Sequence, residues 1–419
     1  MRYLYTLLFY LIVPFILLRL LWRSRKSADY RKRWSERFGF APKKLEKSIW
    51  VHAVSLGETI AATPLIKTLR ATYPDYPIVV TNMTLTGSAR AKLAFGDSVI
   101  HSYVPYDLPD AVSRFIDRIQ PKIFIAIETE LWPNLFSACK QKNIPIVLAN
   151  ARLSEKSARG YQSVAPLTKK MLSEISLLAS QGTADAERFI KLGMPKEKII
   201  ITGNIKFDLE LPKDLEEKSK TLREELGKEK HIWIAGSTHP GEEEIILAAH
   251  AEIRKKFPTA LLILVPRHPE RFDDVEKLCK EKNFSVVRRS RGEKCDDATA
   301  IYLSDTMGEM MLMYSVCDVA FVGGSFVSVG GHNMLEPAAV SKPVLTGPHL
   351  FNFAEISELL FSAGGMFKVT SANELAEKIN TFFENKNMRE EIGNRAYHVV
   401  KENSGALRKQ LEGIKKFIS

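Results

Sequence analysis

The chain is poor in cysteine: four in 419 residues, Cys139, Cys279, Cys295 and Cys317, no two of them at CxxC spacing. That excludes a dithiol redox motif and a cysteine-built zinc site, and leaves small buried or partly buried thiols in a reducing compartment. No GxxxxGK[ST] sequence occurs, so there is no P-loop. No GxGxxG follows the first apolar run, which disfavours a nicotinamide-dependent dehydrogenase. Short-period repeats, low-complexity tracts and a cluster of metal-ligating residues are missing as well. Acidic residues are the minority, 49 against 60 Lys plus Arg, for a formal net charge of +11. The excess is local. Residues 1–50 hold 12 basic and 3 acidic side chains, whereas the remaining 369 hold 48 and 46. A nearly neutral body argues against nucleic acid as a partner, because phosphate binding needs a basic face there. Hydrophobic content of 45% and charged content of 26% exclude a disordered or collagen-like chain, and the length fits two or three domains.

The basic end is also the most apolar one. From Tyr3 to Trp22 runs YLYTLLFYLIVPFILLRLLW, apolar except for Thr6 and Arg19. At about 1.5 Å per residue, a helix of this length crosses a hydrocarbon core. Tyr3, Tyr5 and Trp22 sit near its ends, where amphipathic rings favour the interface. A cleavable signal peptide would begin basic, carry a shorter apolar core and end in small residues. Here Arg2 is the only early charge, and the segment runs directly into RSRK. Arg23, Arg25, Lys26, Arg31, Lys32, Arg33 and Arg37 form a positive-inside signal that places the body in the cytoplasm, and a collar for anionic headgroups. Pro14 and Arg19 weaken a strict spanning helix, although Arg19 can snorkel. The expectation is a retained anchor, spanning rather than lying in the surface.

From Ser48 onward, continuous apolar runs alternate with helical stretches, the pattern of a parallel sheet covered on both faces. IWVHAV, PIVVTNM, KIFIAI, IPIVLAN, SLLAS and IITGN read as strands of a first half. Residues 208–230 are highly charged and nearly free of large apolar clusters, and the pattern restarts after them. HIWIAG, ALLILVP, FSVVRR, AIYLS, VAFVGG, KPVLTG and GMFKV are the strands of a second half, and the chain closes on helical sequence. The fold class is α/β, with two Rossmann-like domains facing a cleft. The expected divisions are an anchor and collar at 1–38, a first domain at 39–212, a second at 213–385 and C-terminal helices at 386–419.

Ligands in such sheets bind beyond the carboxyl ends of the strands, so the turns there are the candidates. VHAVSLGETI places Gly57 and Glu58 where a strand becomes a helix. Glu58 is either a general base for a substrate hydroxyl or the return arm of a Ser55–Glu58 capping box. IETELWPNL offers Glu128 and Glu130, and Glu130, Trp132 and Pro133 equally suit a helix start. Lys206 in TGNIKFD meets an anion or is a surface lysine. Arg267 in LVPRHPERF pairs with a phosphate or carboxylate, or makes a structural ion pair, while His268 suits a loop contact better than a metal. Thr306-Met-Gly-Glu309 has capping-box spacing, and its backbone can also contact a base. In VAFVGGSFVSVGGHNMLEPAA, Gly323-Gly324 ends a strand and Gly330-Gly331 precedes a helix start near Asn333. That arrangement suits an anion at a helix N-terminus, with Glu336 one turn in to receive ribose hydroxyls.

HAVSLGE, ETELWPNL, NARLS, GNIKFD, GSTHPGEE, PRHPERF, DTMGEM, FVGGSFV, GGHNMLEPAA and GPHLFNF occur in this order, over nearly the whole chain. Together with the N-terminal anchor they closely resemble the bacterial 3-deoxy-D-manno-octulosonic acid (Kdo) transferases of lipopolysaccharide synthesis, and no motif departs from that pattern. The resemblance implies a GT-B fold, with the acceptor served by 39–212 and the CMP-sugar by 213–385. It implies transfer of Kdo from CMP-Kdo to a lipid A precursor, an acylated glucosamine disaccharide bisphosphate of the lipid IVA type, with inversion and release of CMP. Inner-membrane lipids are implied as partners, with the catalytic domains on the cytoplasmic side, and no nucleic acid, metal or other cofactor. By the same resemblance, Glu58 matches the general base, and Glu128 and Lys206 match positions that stabilise the transition state. Pro266, Arg267, Met307, Gly308, Glu309, Asn333, Met334, Leu335 and Glu336 match the CMP-binding segments. CMP-Kdo carries one phosphate and one carboxylate, and Arg267 and Lys206 are candidate cations for them. A monophosphate leaving group held by protein dipoles does not require a metal. The rivals are a UDP-sugar transferase or epimerase, and a tethered sugar-nucleotide-binding protein without catalysis. A diphosphate would want more anion donors, and an epimerase would have no use for an anchor.

Overall fold

The computed structural model describes residues 1–25 and 32–418. Lys26 and Arg31 of the expected collar lie outside them. The apolar runs become parallel strands in two seven-stranded sheets, each in its own unit. The first sheet holds β1 (Ser48–His52), β2 (Ile78–Asn82), β3 (Ile100–Tyr103), β4 (Pro121–Ile127), β5 (Ile146–Ala151), β6 (Leu177–Ser180) and β7 (Ile199–Ile201). Their spatial order is β3-β2-β1-β4-β5-β6-β7, so the winding reverses between β1 and β4. Trp50 anchors the core below that reversal. It is fully buried between Phe115 and Phe124, and its Nε1 donates to Thr81 Oγ1 at 2.8 Å, which removes the cost of burying the indole N–H.

The second sheet holds β8 (Ile232–Thr238), β9 (Leu261–Pro266), β10 (Val286–Arg288), β11 (Ile301–Leu303), β12 (Val319–Val322), β13 (Val344–Thr346) and β14 (Met366–Lys368). Their order is β10-β11-β9-β8-β12-β13-β14, with the reversal between β8 and β12. Every pair in both sheets is parallel.

Four features differ from the sequence reading. Edge strand β3, sequence IHSY, was not expected; half its side chains are polar and its edge position needs no continuous apolar run. The charged stretch after residue 208 contains the helix Leu215–Leu226, which buries Leu215, Leu222 and Leu226, spaced seven and four apart along a single stripe. The units divide as Met1–Asp208 with Ser404–Ser419, and Leu209–Asn403, so the closing helical sequence is shared between them. Gly405, at φ +95°, breaks it into the helices Lys386–Asn403 and Ala406–Lys415, and the second of these packs on the first sheet. Finally, Arg33 and Arg37 are not part of a free collar. Arg33 forms a two-point ion pair with Glu36, and Arg37 is buried against the Tyr103 ring with its guanidinium donating to Met83 O.

Candidate active site

Glu58, Glu128 and Glu130 stand at the reversal of the first sheet, the first after β1 and the other two after β4. The helix Leu56–Thr72 begins where β1 ends, with Ser55 as its cap. Glu58 folds back as the capping-box spacing allows: Oε2 accepts from Val54 N–H at 2.7 Å and Oε1 from the Ser55 hydroxyl at 2.7 Å. Burial raises its proton affinity above the usual carboxylate range, those two bonds oppose the rise, and the charge of Glu128 adds to it. Glu128 is 7% exposed and takes a left-handed backbone, φ +61°, which a non-glycine residue adopts at a cost. Its carboxylate accepts from Arg152 Nε at 2.7 Å, and Lys206 Nζ lies 3.9 Å from its other oxygen. Asn204 sets the turn that carries Lys206, its Oδ1 accepting from Lys206 N–H at 3.0 Å. Burial and the nearby Glu58 push Glu130 up to about 8, while the Trp132 indole, donating at 2.9 Å, opposes the shift. The structure thus brings Glu58, Glu128 and Lys206 together and adds Arg152 and Glu130. Arg152, in NARLS, was not singled out from sequence; its signal was a cation directly after β5.

In the second unit, the glycine segment differs from expectation. Glu242 is fully buried, and its carboxylate accepts four backbone N–H groups: His239 and Gly324 at 2.9 and 2.7 Å, Ser325 and Phe326 at 3.0 and 2.9 Å. The chain's own carboxylate therefore takes up the N–H groups of the turn that ends β12. Gly330 and Gly331 donate to Gly324 O, and the helix that follows, Leu335–Ala339, is only five residues long.

Arg267 follows β9, and among the described residues its guanidinium makes no ion pair, against the structural-ion-pair alternative. Its charge acts on His332, His239 and Glu336. His239 and His332 meet through their Nε2 atoms at 2.7 Å, and burial holds His332 down to about 3. Burial pushes Glu336 up to about 7, opposed by the Asn333 amide at 3.2 Å and by Arg267. Asn333, Glu336 and Arg267 therefore share one neighbourhood. Pro266, Met334 and Leu335 are buried, and the Leu335 N–H donates to Asn333 Oδ1 at 3.2 Å. Met307 is 62% exposed and Gly308 has φ +86°, a turn open to solvent. The capping box expected at Thr306–Glu309 does not form: the helix starts later, at Met310, and Glu309 pairs with Arg289 at 2.7 Å and with the Thr306 hydroxyl. Arg289 holds the Glu309 carboxyl below its ordinary range. Among the described residues, no three His, Cys, Asp or Glu side chains gather as a metal-ligand set.

Residues 32–209 match the family model described as 3-deoxy-D-manno-octulosonic-acid transferase (kdotransferase), and residues 233–399 match glycosyl transferases group 1. A curated 3-deoxy-D-manno-octulosonic acid transferase of Haemophilus influenzae is 47% identical over 421 residues, spanning 100% of this chain and 99% of that one. This chain belongs to the Kdo transferase family. It is an enzyme of the glycosyltransferase class. A solved glycosyltransferase of Rickettsia africae, 14% identical, covers 90% of the chain with a TM-score of 0.53. A UDP-GlcNAc 2-epimerase of Neisseria meningitidis, 13% identical, covers 88% with a TM-score of 0.57. Those structures cover 100% of their own length and share the fold alone, two parallel-sheet α/β units of the GT-B type. The epimerase likeness carries no activity across. The Kdo transferase at nearly half identity decides between them.

Proposed function

We propose that this Kdo transferase moves Kdo from CMP-Kdo to a lipid A precursor, an acylated glucosamine disaccharide bisphosphate of the lipid IVA type. The transfer inverts the anomeric centre, releases CMP and serves lipopolysaccharide core assembly at the cytoplasmic face of the inner membrane. The observation that carries this reading is the first-sheet cluster, where a raised carboxylate, Glu58, stands beside Glu128 and its two cations.

Glu58 takes the proton of the acceptor hydroxyl as that oxygen attacks the anomeric carbon. A sugar hydroxyl is a poor acid, so proton transfer accompanies attack, and a carboxylate with raised proton affinity is the better base. Glu128 holds Lys206 and Arg152 in position and faces the positive charge that develops as the donor bond breaks; Lys206 faces the donor's anions. In the second unit, Arg267 receives phosphate, Glu336 and Asn333 receive ribose hydroxyls, and the Met307–Gly308 turn and Met334-Leu335 offer backbone. Glu309 contributes by holding that turn rather than by reaching the ligand. This scheme uses side-chain cations and backbone dipoles for a monophosphate leaving group and needs no metal.

Incubating the purified enzyme with CMP-Kdo and a tetra-acylated lipid A precursor tests it. CMP release, with the lipid gaining the mass of Kdo, is expected. Turnover of UDP-sugars without CMP release would overturn the reading.

A further inference from the structure

The N-terminal helix, Arg2–Arg23, has two faces of opposite fate. Thr6, Tyr10, Val13 and Leu17 recur at spacings of three and four and therefore share one face. That face lies on the first unit. Thr6 Oγ1 donates to Asn134 Oδ1 at 3.0 Å, and the Tyr10 hydroxyl donates to Asp110 Oδ1 at 2.6 Å. Val13, 7% exposed, packs with Tyr106, Leu108 and Ala111, joined by Phe9, Ile16 and Leu17. The opposite row, Leu4, Leu7, Leu11, Phe15, Leu18 and Trp22, is bare, each residue between 55% and 72% exposed.

This contact pattern is incompatible with a helix that crosses a bilayer. Thr6 lies about 25 Å of helical rise from Arg23, so spanning would put it across the hydrocarbon from the body. Instead it touches Asn134, in the unit that also holds Arg33 and Arg37. The docked face matches hydroxyl to amide and hydroxyl to carboxylate, so the apolar remainder is what lacks a partner. Residues 1–25 contain Arg2, Arg19, Arg23 and Arg25 and no acidic side chain, which suits anionic headgroups.

We propose that this helix lies in the plane of one leaflet. The row from Leu4 to Trp22 sinks among acyl chains, the arginines sit at headgroup level, and Met1 stays on the same side of the membrane as the two units. This replaces the spanning anchor expected from sequence, and it rests on the membrane association proposed above.

Nitroxide labels read the pose on the full chain. In a Cys295→Ser background, which removes the one thiol that is not buried, single variants Leu4→Cys, Leu11→Cys, Phe15→Cys and Leu18→Cys are labelled. The labelled enzymes are bound to vesicles of phosphatidylethanolamine and phosphatidylglycerol. An in-plane helix gives all labels one common shallow depth. A depth that is greatest at Leu11 and falls toward Leu4 and Leu18 would overturn the pose. As a second readout, Arg2→Cys in intact spheroplasts should resist a membrane-impermeant maleimide and react after lysis; labelling before lysis would also overturn it. Vesicle flotation separates the two claims. Enzyme that fails to float defeats membrane association itself, whereas enzyme that floats with a spanning profile defeats only the pose.

Discussion

Glu58 serves two masters, as a helix cap and as the proposed base, and the two roles can be parted by substitution. Each oxygen keeps a lone pair beyond the bond it already accepts, so capping does not use up the carboxylate. Glu58→Ala is expected to lower transfer by at least about 100-fold while CMP affinity, measured by calorimetry, is retained. Glu58→Gln keeps an acceptor for Val54 N–H, and should lose the same rate with less loss of stability. A second expectation concerns pH. Because the folded protein raises the Glu58 carboxyl, the base is ionised, and kcat/KM is high, only above the ordinary carboxylate range; activity falls as pH drops through the raised value. Glu128→Gln removes a like charge, so the acid limb should move to lower pH even as the plateau falls. A limb that stays in place would show that Glu128 does not act on Glu58. From sequence, the strand-to-helix turn marked Glu58 but could not separate base from cap, since both readings need the same spacing. Glu130 was visible as a candidate, whereas its shift toward neutrality was not, because that depends on burial beside Glu58.

Among the elements, the turn after β8 shows how one buried carboxylate can tie together the ends of two strands. GEEE offers three consecutive carboxylates, and nothing in the string says that the first turns inward to take the His239 N–H after β8 and three more from beyond β12. Charge-assisted bonds of this kind are strong, and a buried donor left unpaired is costly. Glu242→Gln, which supplies one acceptor oxygen and one amide where two acceptors stood, should destabilise the protein by about 3 kcal/mol in urea unfolding. A loss below about 1 kcal/mol would mean that water replaces the carboxylate. The strands themselves were readable because thirteen of the fourteen are apolar runs between turn signals. Only β3 escaped, for lack of such a run. The helix Leu215–Leu226 escaped differently: its three buried leucines are diluted by charge, and only the spacing, not the composition, identifies it.

For the whole molecule, the succession of two α/β halves along the chain was legible and the boundary between the units was not. Alternating patterns reveal where strands fall, but the packing of a terminal helix on a distant sheet leaves no periodic trace. Residues 386–419 read as one closing block, yet Gly405 sends their last part back to the first unit, where Asp208 accepts from the N–H groups of Gly405 and Leu407. Gln410 is fully buried there, accepting from Asn150 N–H at 3.2 Å and donating to Thr202 Oγ1 at 3.2 Å. Gln410→Ala should cost about 1–3 kcal/mol by leaving the Asn150 N–H unpaired. Thermal unfolding would check it, and no change in midpoint would show that the two Gln410 bonds add nothing to stability.

The same helix sets a timetable for synthesis. Asn150, Leu177 and Ile200 emerge from the ribosome long before the segment that covers them, because the second unit, Leu209–Asn403, is made in between. At translation rates of about 5–20 residues per second, that surface waits roughly 10–40 s for its cover. The apolar N-terminal helix emerges even earlier, ahead of Asp110 and Asn134, on which it docks. It must therefore be sheltered by lipid or chaperone first and captured by its own domain afterwards.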